Sequence, residues 1–254
     1  MLKILLIDLI VLLVYMSAWY LFGRRRRRLD VVDTAWGGGF VLVAVISLIS
    51  RQNTRTELIG SLVLLWGLRL AVHIWQRNGR KGPDPRYVEL SAKWNQQHFW
   101  RRAYLSIFLT QGLLILIVSL PISVAGSETT PLKVGLAVLG TTLWLFGFAL
   151  EAVADRQLNK FVSSDNKGKV LRTGLWRYSR HPNYFGELLQ WWSIALIALG
   201  PAIGWLGLLG PLTLSWLIIF ISGIPSIEKR RLKNPEYQAY KRQTSPLVPL
   251  PPRQ

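Results

Sequence analysis

The sequence predicts an all-α, polytopic membrane protein with seven transmembrane helices, and three observations carry that prediction. Half of the 254 residues are apolar, too large a share for a soluble domain of this length to bury. Apolar stretches close to the length that crosses a bilayer, about 20 residues, recur at about 2–22, 34–50, 56–75, 104–124, 132–154, 184–202 and 204–222. The formal charge of +18 is gathered in alternate connecting segments. Basic residues outnumber acidic ones five to two in 24–33 and seven to two in each of 76–103, 155–183 and 223–254, so these four segments hold 26 of the 31 Lys and Arg. With seven spans all four fall on one side, while the opposite loops RQNTR and VAGSETT carry little charge. Positive charge stays on the cytoplasmic side, which puts the N-terminus out and the C-terminus in. The chain is read as one membrane domain, 1–254, with a basic cytoplasmic tail at 223–254.

Taken in order, the first span begins MLKILLIDLI and runs to Phe22. It is too long for a signal-peptide core, lacks a small-residue cleavage site, and is expected to stay as a retained span. Arg24 to Arg28 follow as a stop-transfer run that also suits anionic lipid. Span 2 opens LDVVDTAWGGGF. Asp33 is either its N-cap or a proton donor, if an apolar pocket keeps it protonated. Gly37 to Gly39 let a helix or a ligand approach the backbone closely.

In span 3, Arg69, His73 and Arg77 recur at i, i+4, i+8 with Trp66 adjacent, a stripe on one helical face. A cation at the depth of Arg69 needs a partner or a wet cavity, so the stripe is either an internal salt bridge or one wall of an anion site. Span 5 ends FALEAVADRQLNK, where Glu151 and Asp155 share a face. They either pair with Arg69 or Arg77 or accept hydrogen bonds from ligand hydroxyls and amides.

The run WRYSRHPNYFGELLQWW, 176–192, leads into span 6. Pro182 suits a first helical turn. Arg180 and His181, at the positive end of the helix, suit phosphate or another anion. Asn183 and Glu187 share a face, with Gln190 and Trp191 one turn deeper. Tyr178 and Tyr184 are expected to touch a ligand, whereas Trp192 reads as an interfacial anchor. In the tail, Glu228, Arg231, Tyr237 and Tyr240 either close over a nucleotide base or form a surface amphipathic helix. The prolines beyond leave the last residues extended along the protein or the membrane.

Absences narrow the function. Without Cys there is no disulfide, Fe–S or thiolate chemistry, and three unpaired His argue against a catalytic metal. Nucleic acid is an unsuitable partner for a chain with repeated spanning stretches.

GLWRYSRHPNYFGELLQWW and GIPSIEKRRLKNPEYQAYKRQT, with RNGRKGPDPRY more weakly, resemble the steroid 5α-reductase family and its bacterial members. That C-terminal domain type is shared with sterol reductases and isoprenylcysteine carboxyl methyltransferases. The resemblance covers most of the chain, and RHPNYFGE is its most specific part. It implies a seven-helix enzyme of the bacterial inner membrane that uses NADPH, on the cytoplasmic side, to reduce the Δ4 double bond of a 3-oxo steroid or a similar apolar enone arriving through the bilayer lipids. By position it implies cofactor roles for Asn78, Arg80, Tyr87, Asp155, Tyr178, Asn183, Glu187 and Arg231. The family's Gln-Glu pair is not found; Asp33 is the nearest acid, and Trp66 stands where a carbonyl-gripping Tyr is expected. Asp33, Trp66 and Glu187 are therefore the catalytic candidates. Two alternatives stay open: a methyltransferase using S-adenosylmethionine, and a non-catalytic lipid-binding protein. Arg69, Arg77, Arg80, Arg172 and Arg180 favour the phosphorylated cofactor over the first, and the inward Glu151, Asp155, Asn183 and Glu187 argue against the second.

Overall fold

A computed structural model describes residues 1–50, 53–79, 82–127, 129–164, 166, 169–200 and 203–253. Among the described residues the regular structure is helical, with one isolated bridge between Ser179 and Ser245 and no strand. Six helical runs are long and apolar enough to cross a membrane: Leu2–Arg26, Val31–Ser50, Thr54–Gly79, Gln96–Val118, Val134–Ser163 and Gly204–Arg231. The segment expected as span 6, 184–202, forms instead a 17-residue helix, Pro182–Ala198. At 1.5 Å per residue that is about 25 Å, short of a ~30 Å hydrocarbon core. The apolar count ran past the helix because it ignores backbone preference: Gly200 and Pro201 follow in the sequence, and a proline disfavours helix in the residue before it.

Where the sequence reading treats the chain as one domain, its contacts group it into two compact units, Met1–Leu132 with Ala198–Gly210 and Lys133–Ile197 with Pro211–Gln254. The first unit holds α1 (Leu2–Arg26), α2 (Val31–Ser50), α3 (Thr54–Gly79), α4 (Pro85–Ser91), α5 (Phe99–Ala103), α6 (Thr110–Val118) and α7 (Leu120–Ala125). α1 continues through three of its arginines until Arg27, at φ 52°, turns left-handed and Arg28 N–H donates to Gly23 O. Leu2, Leu6, Leu9, Ile10, Leu13 and Val14 stay exposed on α1, as a lipid-facing side would. A π-helical stretch, Tyr104–Leu109, joins α5 to α6.

The three glycines of α2 serve three neighbours. A Cβ on Gly37 would lie 2.9 Å from Ala71 N of α3, one on Gly39 2.7 Å from an Ile115 methyl of α6, and one on Gly38 would strike the Tyr15 hydroxyl of α1. Successive residues of a helix point about 100° apart, so the run lets three helices close on α2 at one level. Helix contact, not ligand approach, accounts for these glycines.

The second unit holds α8 (Val134–Ser163), α9 (Pro182–Ala198), most of α10 (Leu209–Trp216), α11 (Ile224–Arg231) and α12 (Pro235–Gln243). α8, with 30 residues, is about 45 Å long and outruns a bilayer core. α8 and α9 cross backbone to backbone, since a Cβ on Gly186 would sit 2.6 Å from Gly147 O. Asn234 caps α12 by accepting from Glu236 N and Tyr237 N. The tail then runs extended against the 178–180 strap: Arg180 N donates to Ser245 O at 2.8 Å, Ser179 Oγ to Leu247 O at 2.7 Å, and Leu250 N to Tyr178 O at 3.0 Å.

Candidate functional site

In the first unit the polar residues meet around Asp33. The helix begins at Val31, so Asp33 lies inside its first turn and is not an N-cap. Its Oδ2 accepts from the Arg86 guanidinium and from Arg77 at 3.4 Å, and its Oδ1 accepts from the Tyr87 hydroxyl. Gln111 Nε2 donates to the same hydroxyl at 3.3 Å. Both Asp33 oxygens accept, which makes Asp33 the acceptor of the cluster and Tyr87 a donor that gives its one proton to it. Burial first, then the Asp33 charge, pushes the Tyr87 phenol well above its ordinary value. Burial works against the Arg86 charge, but Asp33 and Asp84 outweigh it and hold Arg86 above the usual arginine range.

Local sequence explains how α4 delivers these groups. Asp84 accepts from Arg86 N at 2.8 Å and caps the helix, with Pro85 in its first turn. Arg86 and Tyr87 then fall side by side in that turn. A second carboxylate, Asp30, is nearly enclosed and anchors the loop: Arg28 donates to it at 2.6 and 3.0 Å, and Asp84 N at 3.3 Å. The last of the five arginines is thus tied to Asp30 and is not free for lipid.

The other predictions in this unit separate. Asn78 donates to Asp30 O at 3.2 Å and accepts from Arg77 Nε at 3.3 Å, a brace between α3 and the loop ahead of α2. Arg69 and His73 are half-buried and each engages a neighbour. Trp66 is 1% exposed and packs edge-to-face on Phe40 at 5.3 Å, which makes it core. Arg80 lies outside the described residues. Arg86, Asp84, Asp30 and Gln111 were missed; the Asp-Pro cap was the signal that could have exposed Arg86.

In the second unit α8 and α9 form a polar ladder. Asn183 Nδ2 donates to Asp155 Oδ1 at 3.2 Å, and two turns deeper Gln190 Nε2 donates to Glu151 Oε2 at 2.7 Å and to Gly186 O at 3.1 Å. Gln190 is fully buried, yet its Oε1 has no hydrogen-bond partner. Glu187 sits between these rungs, half-buried and engaged. The Gly147–Gly186 crossing brings the rungs within reach.

Arg180 and His181 of the same run face Glu228. Arg180, expected at a phosphate, is 7% exposed. Its guanidinium binds Glu228 at 2.7 and 2.8 Å and donates to the carbonyls of Lys241 and Thr244. Lys241 Nζ also reaches Glu228 at 2.7 Å. His181 stacks on Tyr184 with centroids 5.5 Å apart, and its Nε2 stands 3.6 Å from Glu228, beyond hydrogen-bond range. Burial, and then the Arg180 and Arg231 charges, lower the His181 pKa in spite of Glu228; His181 is neutral near pH 7.

Tyr237 and Tyr240 are buried, not poised over a base. Tyr240 donates to the carbonyls of Trp176 and Ser179, while burial raises Tyr237 to about 12. Arg231 lies over the Tyr237 ring at 5.7 Å, Tyr178 is exposed, and Arg172 donates to Glu236 O. Trp192 is exposed and donates to Ser215 at 3.2 Å. Among the described residues no cluster of three or more His, Asp or Glu could hold a metal.

Comparison with known proteins places the chain without giving it an activity. An uncharacterized protein of Schizosaccharomyces pombe is 26% identical over 191 aligned residues, covering 62% of this chain and 55% of that one. The matched region therefore spans about half the length of that relative. No solved structure matches. The family model described as "Protein of unknown function (DUF1295)" matches residues 19–244, nearly the whole chain with both polar clusters, and the protein belongs to that family.

Proposed function

We propose that this protein is an NADPH-dependent membrane reductase that transfers hydride to the conjugated C=C bond of an apolar enone, a 3-oxo-Δ4 steroid being the representative acceptor. The observation that carries the reading is the Tyr87 hydroxyl, fixed by Asp33 and Gln111 and flanked by Arg77 and Arg86. Tyr87 is half-buried. As the β-carbon accepts hydride, an electron pair moves onto the ketone oxygen. The Tyr87 phenol turns its single O–H from Asp33 to the developing enolate, and the Arg86 charge lies beside it. Asp33 positions the phenol, and water supplies the α-carbon proton.

The ladder of the second unit, taken by itself, carries acceptors of the kind a dinucleotide's hydroxyls and amide meet. Asp155 and Glu187 are carboxylates of the kind that accept from ribose hydroxyls, and the buried Gln190 beneath them keeps an unbonded carbonyl oxygen. When bound, the cofactor supplies the hydride; the residues supply position. In this reading the basic segments face the cytoplasm, and α9 is a short additional crossing. The acceptor enters from the bilayer.

One observation favours a second reading. Arg180 is committed to Glu228, which removes part of the argument for a phosphorylated cofactor. A methyltransferase using S-adenosylmethionine needs no such cations. Calorimetric titration of the detergent-solubilised protein with NADPH, NADH and S-adenosylmethionine separates the two, and progesterone-dependent NADPH oxidation tests the reaction. Binding of S-adenosylmethionine alone sinks the reductase.

A further inference from the structure

We infer that the second unit carries a phosphate-binding cleft built by its C-terminal tail. The cleft has a volume of about 530 Å³, and three of its nine lining residues are arginines, Arg172, Arg177 and Arg253, while none is acidic. The sequence separates these arginines by up to 81 positions, so the fold has collected like charges in one place. Their mutual repulsion is relieved when an anion sits among them.

The walls are fixed before any ligand arrives. Gly174 turns at φ 63°, a conformation glycine adopts without strain, and Leu175 N donates to Gln157 Oε1 at 3.0 Å, which locks the loop carrying Arg172 and Arg177. On the facing wall, Arg253 N donates to Gln243 O at 2.8 Å and Leu250 N to Tyr178 O at 3.0 Å. These bonds hold Pro252 and Arg253 at the cleft.

Arg172 is oriented at the cleft by a bond from its guanidinium to Glu236 O. Its Nε is buried and makes no hydrogen bond. The Glu236 carboxylate is 3.6 Å away and half-exposed, and Tyr240 lies under the guanidinium at 5.8 Å. A guanidinium that is oriented but incompletely bonded, beside two exposed ones, matches the oxygens of a phosphate monoester. Thr173, Gln243 and Thr244 offer uncharged polar atoms to the remaining oxygens. The monoester is either that of a soluble nucleotide or the headgroup of phosphatidic acid, and neither source depends on the reductase reading.

The test uses the full chain in detergent. Calorimetry with 2′,5′-ADP probes the soluble source, and native mass spectrometry of phosphatidic acid against phosphatidylcholine adducts probes the lipid source. One of the two is expected to bind the wild type. The doubly substituted Arg177→Gln/Arg253→Gln protein should lose about tenfold or more in affinity with an unchanged unfolding temperature, because both side chains are exposed. Arg177→Lys/Arg253→Lys, which keeps the charge, should recover part of the binding. Binding by neither probe, or equal binding by the glutamine variant and the wild type, overturns the inference.

Discussion

The two carboxylate–guanidinium clusters use the same chemistry for opposite ends. Around Glu228 the pair is closed: the Arg180 and Glu228 side chains are 7% and 9% exposed, and backbone carbonyls take up more of the guanidinium. Around Asp33 the pair is open: Arg77 and Arg86 are 36% and 34% exposed, with a phenol on the second carboxylate oxygen. A closed cluster holds chain segments together, and an open one keeps charge where a ligand can meet it. Residue type alone does not tell the two apart.

The largest effect that would break this contrast is on stability. Arg180→Ala removes the buried partner of Glu228, leaving it Lys241 alone, and should cost about 3 kcal/mol, read as a large fall in unfolding temperature. A variant as stable as the wild type would mean that the closed cluster holds nothing. Next, Tyr87→Phe removes the phenol from the open cluster. Turnover of an enone should fall about 100-fold or more while NADPH affinity stays put, a split that calorimetry and a rate assay together resolve; undiminished turnover would leave Tyr87 a brace.

A smaller effect belongs to the ladder. Asn183→Ala and Glu187→Gln should each weaken cofactor binding about tenfold without changing the fold, and wild-type affinity in both would reduce the ladder to packing. The smallest concerns His181. Its folded pKa lies below the unfolded 6.5, so below pH 6.5 the unfolded state takes up the proton first and stability falls as pH falls. Unfolding temperatures measured across that range should show the slope, and His181→Gln should flatten it.

Legibility varied with the range of the interaction. The helices and the Pro182 start could be read from local pattern, because hydropathy over some 20 residues and proline's missing N–H act within a segment. The α8–α9 ladder was half-legible: i, i+4 spacing put Asn183 with Glu187 and Glu151 with Asp155 on faces, but not which rung met which. The fate of Arg180 was not legible, since its partner is 48 positions away. That Trp66 lies in the core was not legible, because an aromatic beside a cationic stripe reads the same whether it lines a cavity or fills a core.

The sequence by itself determined that this is a helical membrane protein, where its long apolar helices run, and that its basic residues are grouped in alternate connecting segments. Those properties follow from transfer of apolar surface and from charge counts, which need no knowledge of what touches what. Only the tertiary structure decided which cations are tied to carboxylates and which remain open, because an ion pair forms over a few ångströms between segments that the chain keeps far apart.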